Sequence, residues 1–267
     1  MAIPEQIQLG LQAYLEAKQD LLPKRPESVT VGDLPDVNRL ISELGPLPEE
    51  ALLLGLAEDG LPVLLDLVDP APGTIVVIGE GSSGKTAFLH SLARSADQFH
   101  NPGDIQFGAI TPFPEEWRPL EDMPNCLGVW PDYHPTAGEF LLRLISWADA
   151  LITGKQRVLL LLDGLDLMTE LSAETRRDLH WLFLHGPERH IWPIVTINAR
   201  RVDRLSSWAD CFHTYIYGHI SSEGLARSLT SDPRPDLTSL TAGAQFCLQT
   251  GEGWLQFSIQ SWKGERG

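Results

Sequence analysis

The chain has 267 residues, 43% of them hydrophobic, and a formal net charge of −16 at pH 7. This length allows one substantial core with a small appendage rather than two equal halves. The negative charge argues against a protein that coats nucleic acid with its whole surface, although a few basic loops can still contact DNA. Three widely spaced cysteines, without a Cys-x-x-Cys pair, indicate neither a disulfide framework nor a zinc site.

The first fifty residues differ in pattern from the rest of the chain. Before residue 20, apolar side chains recur at the spacing of an amphipathic helix, at Ile7, Leu11, Tyr14 and Leu15. We predict an N-terminal helical accessory segment at 1–50, as a docking segment for a partner protein, and one main domain at 51–267. No run of eighteen apolar residues and no signal-peptide pattern occurs, so we expect a cytoplasmic protein without a membrane segment.

The pattern Gly, four residues, Gly-Lys-Thr lies between a predicted strand at 74–78 and a predicted helix from Lys85 to about residue 95. Gly81 and Gly84 let successive backbone N–H groups face phosphate oxygens, and the helix adds its positive N-terminal end. Lys85 is expected to reach the β- and γ-phosphates, and Thr86 a Mg²⁺ ion. The sequence therefore predicts a phosphate-binding loop for ATP formed by Gly79, Glu80, Gly81, Ser82, Ser83, Gly84, Lys85 and Thr86.

Strands and helices alternate around this loop. Further strands are predicted at 54–60, 61–66, 106–110, 158–162, 194–197 and 212–220, and a hairpin at 246–259. The alternation predicts an α/β fold, a RecA-like, doubly wound and mainly parallel sheet with helices on both faces and a C-terminal β-hairpin. In such a fold the ligand lies at the carboxyl ends of the strands.

Two further helices have recognisable start signals. One is predicted from Thr136 to about Thr153, because Thr136 and Glu139 have the spacing of a capping box. The other is predicted at 173–184, with Ser172 as its N-cap. Residues 112–135, which are rich in proline and tryptophan, are expected to be irregular.

Asp163 follows five apolar residues, and a carboxylate at this strand end can hold Mg²⁺ through water. Hydrolysis of ATP also requires a group that orients or deprotonates the attacking water. Many motors place a glutamate directly after this aspartate, whereas here the residue is Gly164. Asp166 and Glu170 are candidate substitutes for this glutamate, although nothing in their spacing requires that role. The sequence thus supports nucleotide binding more firmly than hydrolysis.

Polar residues at and after the strand at 194–197 are further candidates. Asn198 either senses the γ-phosphate or caps its own turn. Arg200, Arg201 and Arg227 are either surface salt-bridge partners or arginine fingers, which stabilise the charge of a transferring phosphoryl group from a neighbouring subunit. The basic cluster at 189–204 is either a local contact for nucleic acid or a solvated, ion-paired face.

Together these segments resemble the FtsK/HerA class of P-loop motor ATPases between about residues 54 and 260. The sequence at 59–66 looks like the strand pair that precedes this family's phosphate loop, and Leu162-Asp163 with 166–168 is similar to its second acidic motif. Residues 196–199 fall where the family has a strand ending Ala-Thr-Gln-Arg, so that Asn198 would replace a sensor glutamine. Residues 212–222 look like its Asn-Phe-Pro-Thr-Arg-Ile segment with the following Ser-Ser, and Arg227 lies at the place of a later arginine.

The resemblance implies ATP and Mg²⁺ as cofactors and a homo-oligomeric ring, hexameric in the family, that couples ATP hydrolysis to movement of a polymer through its pore. Family members move double-stranded DNA, gripped by pore loops, and a secretion branch moves polypeptide. The chain departs from the family at Gly164, Ala199 and Tyr215, where a catalytic glutamate and two arginines are expected. These departures leave open a hydrolysis-poor ATP-binding subunit of a larger DNA or protein-export machine.

A different class of protein is the main alternative. Residues 162–166, Leu-Asp-Gly-Leu-Asp, also resemble the acidic strand of NACHT-type signalling ATPases, which are nucleotide-dependent switches. Such proteins usually carry long repeat arrays, and the sequence contains no internal repeat. A small GTPase is disfavoured because no Asn-Lys-x-Asp segment occurs.

Overall fold

The computed structural model describes residues 47–150, 155–168, 171–231, 234–250 and 253–259. Numbered in chain order, the strands of this part are β1 (Ala51–Ala57), β2 (Pro62–Asp66), β3 (Thr74–Gly79), β4 (Ile105–Thr111), β5 (Cys126–Pro131), β6 (Arg157–Leu162), β7 (Ile191–Asn198), β8 (Phe212–Tyr217), β9 (Gln245–Thr250) and β10 (Gly253–Ser258). The α-helices are α1 (Lys85–Phe99), α2 (Arg118–Glu121), α3 (Pro135–Ala150), α4 (Ala173–His185) and α5 (Glu223–Leu229). Short 3₁₀ helices lie at Pro114–Trp117, Pro187–Arg189, Ala199–Leu205 and Ala209–Cys211.

These strands form one sheet in the order β2-β1-β10-β9-β8-β3-β7-β6-β4-β5. The six strands from β8 to β5 run parallel to one another. The other four, β9, β10, β1 and β2, are joined by antiparallel pairs. The predicted mainly parallel, doubly wound sheet and the C-terminal hairpin are confirmed.

Neighbouring side chains of β3 belong to different hydrophobic clusters, one on each face of the sheet. Val76 and Ile78 pack in the cluster that contains the inner faces of α3 and α4. Ile75 and Val77 pack in the cluster that contains the inner face of α1. Because β3 is covered on both faces, it has the continuous apolar sequence of a central parallel strand. The loop that follows β3 therefore starts from a rigid part of the sheet.

The expectation of an irregular segment at 112–135 is wrong. This segment contains a 3₁₀ turn, the short helix α2 and the strand β5. β5 is an edge strand that pairs with β4 alone, and most of its residues are only half-buried. Its sequence also has a glycine at 128 and ends on a proline, two residue types that are depleted in strands, so the pattern did not indicate one.

The two predicted helix starts have different outcomes. Ser172 caps α4 as predicted, because its side chain accepts a hydrogen bond from the N–H of Thr175. The capping box is wrong: α3 already begins at Pro135, and the N–H of Thr136 donates to the ring of His134. A short local pattern cannot distinguish an N-cap from a residue one or two positions inside the helix.

Some predictions fall on other parts of the chain. The predicted helix before residue 20 and the predicted end of the helix near Thr153 lie outside the described residues. The helix α5 was not predicted from the sequence. In the described ranges, no helix has the length and apolar character needed to cross a membrane.

Candidate nucleotide site

The predicted phosphate-binding loop links the end of β3 to the first turn of α1. Gly84, directly before the helix, has a φ of 94°, a left-handed conformation that favours glycine. A Cβ at this position would lie 2.7 Å from the Cα of Gly243, and the Gly243 N–H donates to the Ser83 carbonyl at 3.1 Å. The segment before β9 thus packs directly on the loop, and position 84 has no room for a side chain.

The start of the loop is equally closed to side chains. A Cβ on Gly79 would collide with the hydroxyl of Ser83, which is itself fully buried. The Ser83 N–H donates to the carbonyl of Glu80 at 3.2 Å. A loop that folds this tightly can present backbone N–H groups to a ligand, which is how phosphate loops bind anions.

Lys85 lies over this loop. Its Nζ donates to the carbonyl oxygens of Gly79 at 3.0 Å and Glu80 at 2.8 Å. Burial lowers the pKa of Lys85, and the charges of Asp166 and Asp163 oppose that shift. Phosphate oxygens are stronger acceptors for an ammonium group than neutral carbonyls, so this lysine is well placed to bind an anionic ligand.

The second predicted acid, Asp163, lies directly after β6 and is 6% exposed. The hydroxyls of Thr86 and Thr196 donate to its carboxylate, each at 2.9 Å. The indole Nε1 of Trp117 donates to the same carboxylate at 3.3 Å. The structure therefore brings together the two predicted Mg²⁺ residues, Thr86 and Asp163.

The chemistry of these donors fits Mg²⁺ with a bound nucleotide. Mg²⁺ takes oxygen ligands, keeps several waters and is held by one or two carboxylates together with substrate phosphates. Thr86 and Asp163 supply a hydroxyl and a carboxylate beside the phosphate loop. Within the described ranges, no group of three or more His, Cys, Asp or Glu side chains is placed to hold a metal by itself. A metal at this site would depend on phosphate oxygens as further ligands.

Asn198 ends β7 in parallel register with Gly79, so it borders the loop. Its side-chain oxygen accepts from the N–H of Arg200 at 3.0 Å and caps the following 3₁₀ helix. Its own N–H donates to Asp166 at 3.1 Å. The turn-capping contact is therefore present, whereas a γ-phosphate-sensing role stays a prediction.

Of the positions considered for a catalytic base, the two that the structure describes, Gly164 and Asp166, supply no free carboxylate. Gly164 has a φ of 86°, which favours glycine. Asp166 has a side chain that is 3% exposed, and its two oxygens accept from the N–H of Asn198 and from Nη1 of Arg201, the latter at 3.4 Å. Asp166 therefore anchors the segment after β7, and Glu170 lies outside the described residues.

A second carboxylate, that of Glu80, belongs to the loop itself. Nε and Nη2 of Arg200 donate to its Oε1 at 3.0 and 2.8 Å. The N–H and hydroxyl of Ser221 donate to its Oε2 at 2.9 and 2.5 Å. The hydrogen bonds from Ser221, with a smaller contribution from Arg200, lower the pKa of Glu80 to about 2. We call Glu80, Arg200 and Ser221 the loop clamp.

The basic cluster at 189–204 is not one patch. Arg189 precedes β7 and pairs with Asp149 at 3.2 Å, whereas Arg200 follows the same eight-residue strand and pairs with Glu80. These arginines lie beyond opposite ends of the strand and both have carboxylate partners. The ion pairs of the second interpretation are therefore present, whereas a contact with nucleic acid stays a prediction.

Arg227 lies away from the loop contacts described above. It is on α5 and pairs with Glu223, one helical turn away. Among the described residues, its ion pair is with this neighbour alone. The structure places Arg200 beside the phosphate loop but does not bring Arg227 to it within one chain.

Three residues of the site were not singled out for these contacts from the sequence: Trp117, Thr196 and Ser221. Trp117 reaches Asp163 from the segment expected to be irregular, across 46 residues of sequence. Thr196 reaches it from the adjacent strand β7. Such contacts arise from strand order, which no local pattern of the sequence encodes.

Comparison with solved structures finds the same fold in several ATPase domains. EssC (ATPases 2 and 3) from Geobacillus thermodenitrificans matches 92% of this chain with a TM-score of 0.66 and 16% identity. Thermomonospora curvata EccC (ATPases 2 and 3), in complex with a signal sequence peptide, matches 90% with a TM-score of 0.62 and 14% identity. The pCW3 conjugation coupling protein TcpA, a monomer form with ATPγS, matches 97% with a TM-score of 0.61 and 14% identity.

The chain has the P-loop ATPase fold that these domains share. It spans 49% of the EssC chain and 44% of the EccC chain, and 82% of the TcpA chain. No protein-family model and no curated protein matches it. At these identities the likeness concerns the fold and does not extend to activity, polymer or assembly.

Proposed function

We propose that the chain binds Mg·ATP at its phosphate loop and acts as an ATPase subunit of an oligomeric ring that moves a polymer. The observation that carries this proposal is the hydrogen bond between Thr86 and Asp163. It joins the first helical turn after the loop to the acidic end of β6, which is where the metal of a loop-bound nucleotide belongs. The TcpA structure with ATPγS, which has the same fold, supports ATP as the ligand.

The residues of the site have separate roles in this proposal. The backbone of residues 79–86 binds the phosphates, and Lys85 contacts the β- and γ-phosphates. Thr86 and Asp163 hold Mg²⁺, which neutralises negative charge on the phosphates when bound. Trp117 and Thr196 keep the Asp163 carboxylate aligned by donating hydrogen bonds to it. Asn198 as a γ-phosphate sensor belongs to the same proposal.

Double-stranded DNA is the first candidate for the polymer, because the resemblance in the sequence is to motors that move DNA. Polypeptide is the second, since EssC and EccC share this fold and the EccC structure contains a signal sequence peptide. The net charge of −16 requires that any DNA contact be local, through a few loops facing a pore.

A second candidate function is that of a subunit that binds ATP and hydrolyses it slowly until a partner contributes the missing group. The left-handed Gly164 and the fully engaged Asp166 favour it, because neither provides a base for the attacking water. In a ring, a neighbouring subunit can supply arginine or carboxylate groups. Arg227, which is on the surface helix α5, is one candidate for such a contribution.

Three wider predictions belong to this proposal. Residues 1–50 form an accessory segment that docks on a partner protein, and residues 51–267 form the ATPase domain. The protein acts in the cytoplasm. Truncation at residue 50, followed by nucleotide binding and gel filtration, measures whether the domain folds and binds without the segment.

The test of the function is ATP turnover by the full chain with and without linear double-stranded DNA, beside a Lys85→Ala variant. Turnover that DNA stimulates and that the variant loses supports the DNA motor. Binding of ATP with turnover that DNA leaves unchanged rejects DNA as the polymer and favours the partner-dependent subunit. Absence of ATP binding by the wild-type chain rejects the proposed function altogether.

A further inference from the structure

The loop clamp joins the ends of three adjacent parallel strands. Glu80 follows β3, Arg200 follows β7 and Ser221 follows β8, and these strands are neighbours in the order β8-β3-β7. Backbone hydrogen bonds reinforce the connection, since the Glu80 N–H donates to the carbonyl of His219 at 3.2 Å. The clamp is therefore built into the part of the sheet that carries the phosphate loop.

Glu80 places a negative charge inside the loop that is proposed to bind phosphate. A carboxylate there repels phosphate unless a cation neutralises it. Arg200 supplies that cation through two N–H groups that converge on Oε1. Ser221 holds Oε2 at the same time, so the carboxylate cannot rotate away from Arg200 without losing those hydrogen bonds.

The Arg200 guanidinium is held but still accessible. Its side chain is 67% exposed, whereas that of Glu80 is 11% exposed. In the part of the chain that the structure describes, Nε and Nη2 bind Glu80 and no bond of Nη1 is seen. A guanidinium carries five N–H donors in a fixed plane, so donors are left for a ligand at the mouth of the loop.

Arg200 also lies on the side of the loop that faces Asp163. It follows β7, which is between β3 and β6 in the sheet, and β6 leads directly into Asp163. In P-loop enzymes the metal bridges the β- and γ-phosphate oxygens. A cation on this side is consequently near the γ-phosphate end of a bound nucleotide.

We infer that Glu80 is a positioning residue that holds Arg200 beside the phosphate loop of its own chain, where the guanidinium contacts the γ-phosphate and favours ATP over ADP. The inference rests on the proposed function. It assigns Arg200 to the nucleotide of the same chain and not to that of a neighbouring subunit. Glu80 acts through Arg200 and does not itself contact the nucleotide phosphates.

The test is calorimetric titration of the full chain with Mg·ATPγS and with Mg·ADP. Arg200→Ala is expected to weaken ATPγS binding about tenfold and ADP binding by less than about threefold, since one charge-assisted contact to the γ-phosphate is lost. Arg200→Lys keeps the charge without the planar fork and is expected to fall between these values. Arg189→Ala, which removes an ion-paired arginine at the other end of β7, is the matched control and should change neither affinity.

The role of Glu80 is tested by a double-mutant cycle. Glu80→Gln is expected to reduce the preference for ATPγS over ADP in the same direction as Arg200→Ala. The double variant is expected to be no worse than Arg200→Ala alone, because residues that act through one contact are not additive. Effects that add in full would overturn the positioning role of Glu80. Thermal unfolding shows whether each variant folds. If Glu80→Gln does not fold, the Arg200 variants alone decide the inference, because the Arg200 side chain is exposed.

Two further results would overturn the inference. One is an Arg200→Ala variant that loses ATPγS and ADP affinity equally, which a merely structural role predicts. The other is recovery of tight ATPγS sites when the Arg200→Ala and Lys85→Ala chains are mixed, which is the behaviour of an arginine that serves a neighbouring subunit. Since wild-type binding is measured first, failure of the proposed function appears as absence of binding and is distinct from both.

Discussion

The proposed nucleotide site has two parts, a binding side that would hold the nucleotide and a hydrolysis side that would activate the attacking water, and they depart from the motor pattern to different degrees. On the binding side, Gly84 closes on Gly243 and the Asp163 carboxylate accepts from Thr86. On the hydrolysis side, Gly164 replaces the expected glutamate in a left-handed conformation. Ala199, where an arginine was expected, is 2% exposed and packed in the core.

The difference shows which parts of such a site are constrained by the backbone. A phosphate loop works through main-chain N–H groups, so its glycines are tied to one local geometry. The hydrolysis groups are side chains at strand ends, where other contacts can replace them. Here those contacts lie within the chain: Arg200 with Glu80, and Arg201 with Asp166.

Removal of the Lys85 ammonium should have the largest effect. Lys85→Ala is expected to weaken Mg·ATP binding by about 2–3 kcal/mol, roughly 30- to 150-fold, because charge-assisted hydrogen bonds are lost. The free energy of unfolding should hardly change, because the cost of burying the Lys85 charge offsets the hydrogen bonds that Lys85 donates to the loop carbonyls. Calorimetry and urea unfolding measure the two quantities. Lys155→Ala, at an exposed position before β6, is the control, and unchanged ATP affinity in Lys85→Ala would contradict the binding side as described.

Restoring the expected glutamate should fail to restore hydrolysis. Gly164→Glu places a side chain in a left-handed conformation, and its Cβ would lie 3.3 Å from Leu167. We expect a loss of stability of about 1–2 kcal/mol and no gain in ATP turnover. Gly103→Glu is the control, because a Cβ there meets nothing within 4 Å. A stable Gly164→Glu variant with faster turnover would show that the hydrolysis side lacks only this carboxylate.

Trp117→Phe tests whether the indole aligns Asp163. The variant loses one hydrogen bond to the carboxylate, and we expect a loss of about 1 kcal/mol in stability together with a higher Mg²⁺ requirement for ATP binding. Trp192→Phe is a matched control, because Trp192 is equally buried and its Nε1 has no hydrogen-bond partner among the described residues. Equal shifts of the Mg²⁺ requirement in both variants would mean that ring volume, not the hydrogen bond, matters.

The smallest effect is the pH dependence of the loop clamp. The pKa of Glu80 is lowered from its ordinary value of 4.5 to about 2, so its contribution to stability is present above the ordinary value and is lost as the pH falls through the lowered one. The gap in unfolding free energy between wild type and Glu80→Gln should be about 1 kcal/mol, because the glutamine amide keeps an oxygen that can accept from Ser221, and the lost pairing with the exposed Arg200 is screened by solvent. Urea unfolding should give the same gap at about pH 7 and pH 5 and a smaller one at about pH 3.5. A gap that does not change with pH would contradict a charged Glu80 in the clamp.

The sequence predicts the elements that have a local signal and misses those that depend on contacts between distant residues. The loop and β3 were predictable because glycine spacing and a strand buried on both faces are local signals. The edge strand β5 was missed because half-buried side chains give no clear period. The partners of Asp163 and Glu80 were missed because Trp117, Arg200 and Ser221 reach them across 46, 120 and 141 residues of sequence.

The most direct test of the central contrast is a single-turnover measurement with the full chain in excess over radiolabelled Mg·ATP, without DNA or partner. The bound fraction is read by filter binding and the converted fraction by acid quench. If the binding side is complete and the hydrolysis side is not, the wild-type chain should bind the nucleotide, which should be recovered largely as ATP. The Lys85→Ala variant should bind little nucleotide. Rapid conversion of the bound nucleotide to ADP by the isolated chain, or no binding at all, would contradict this account.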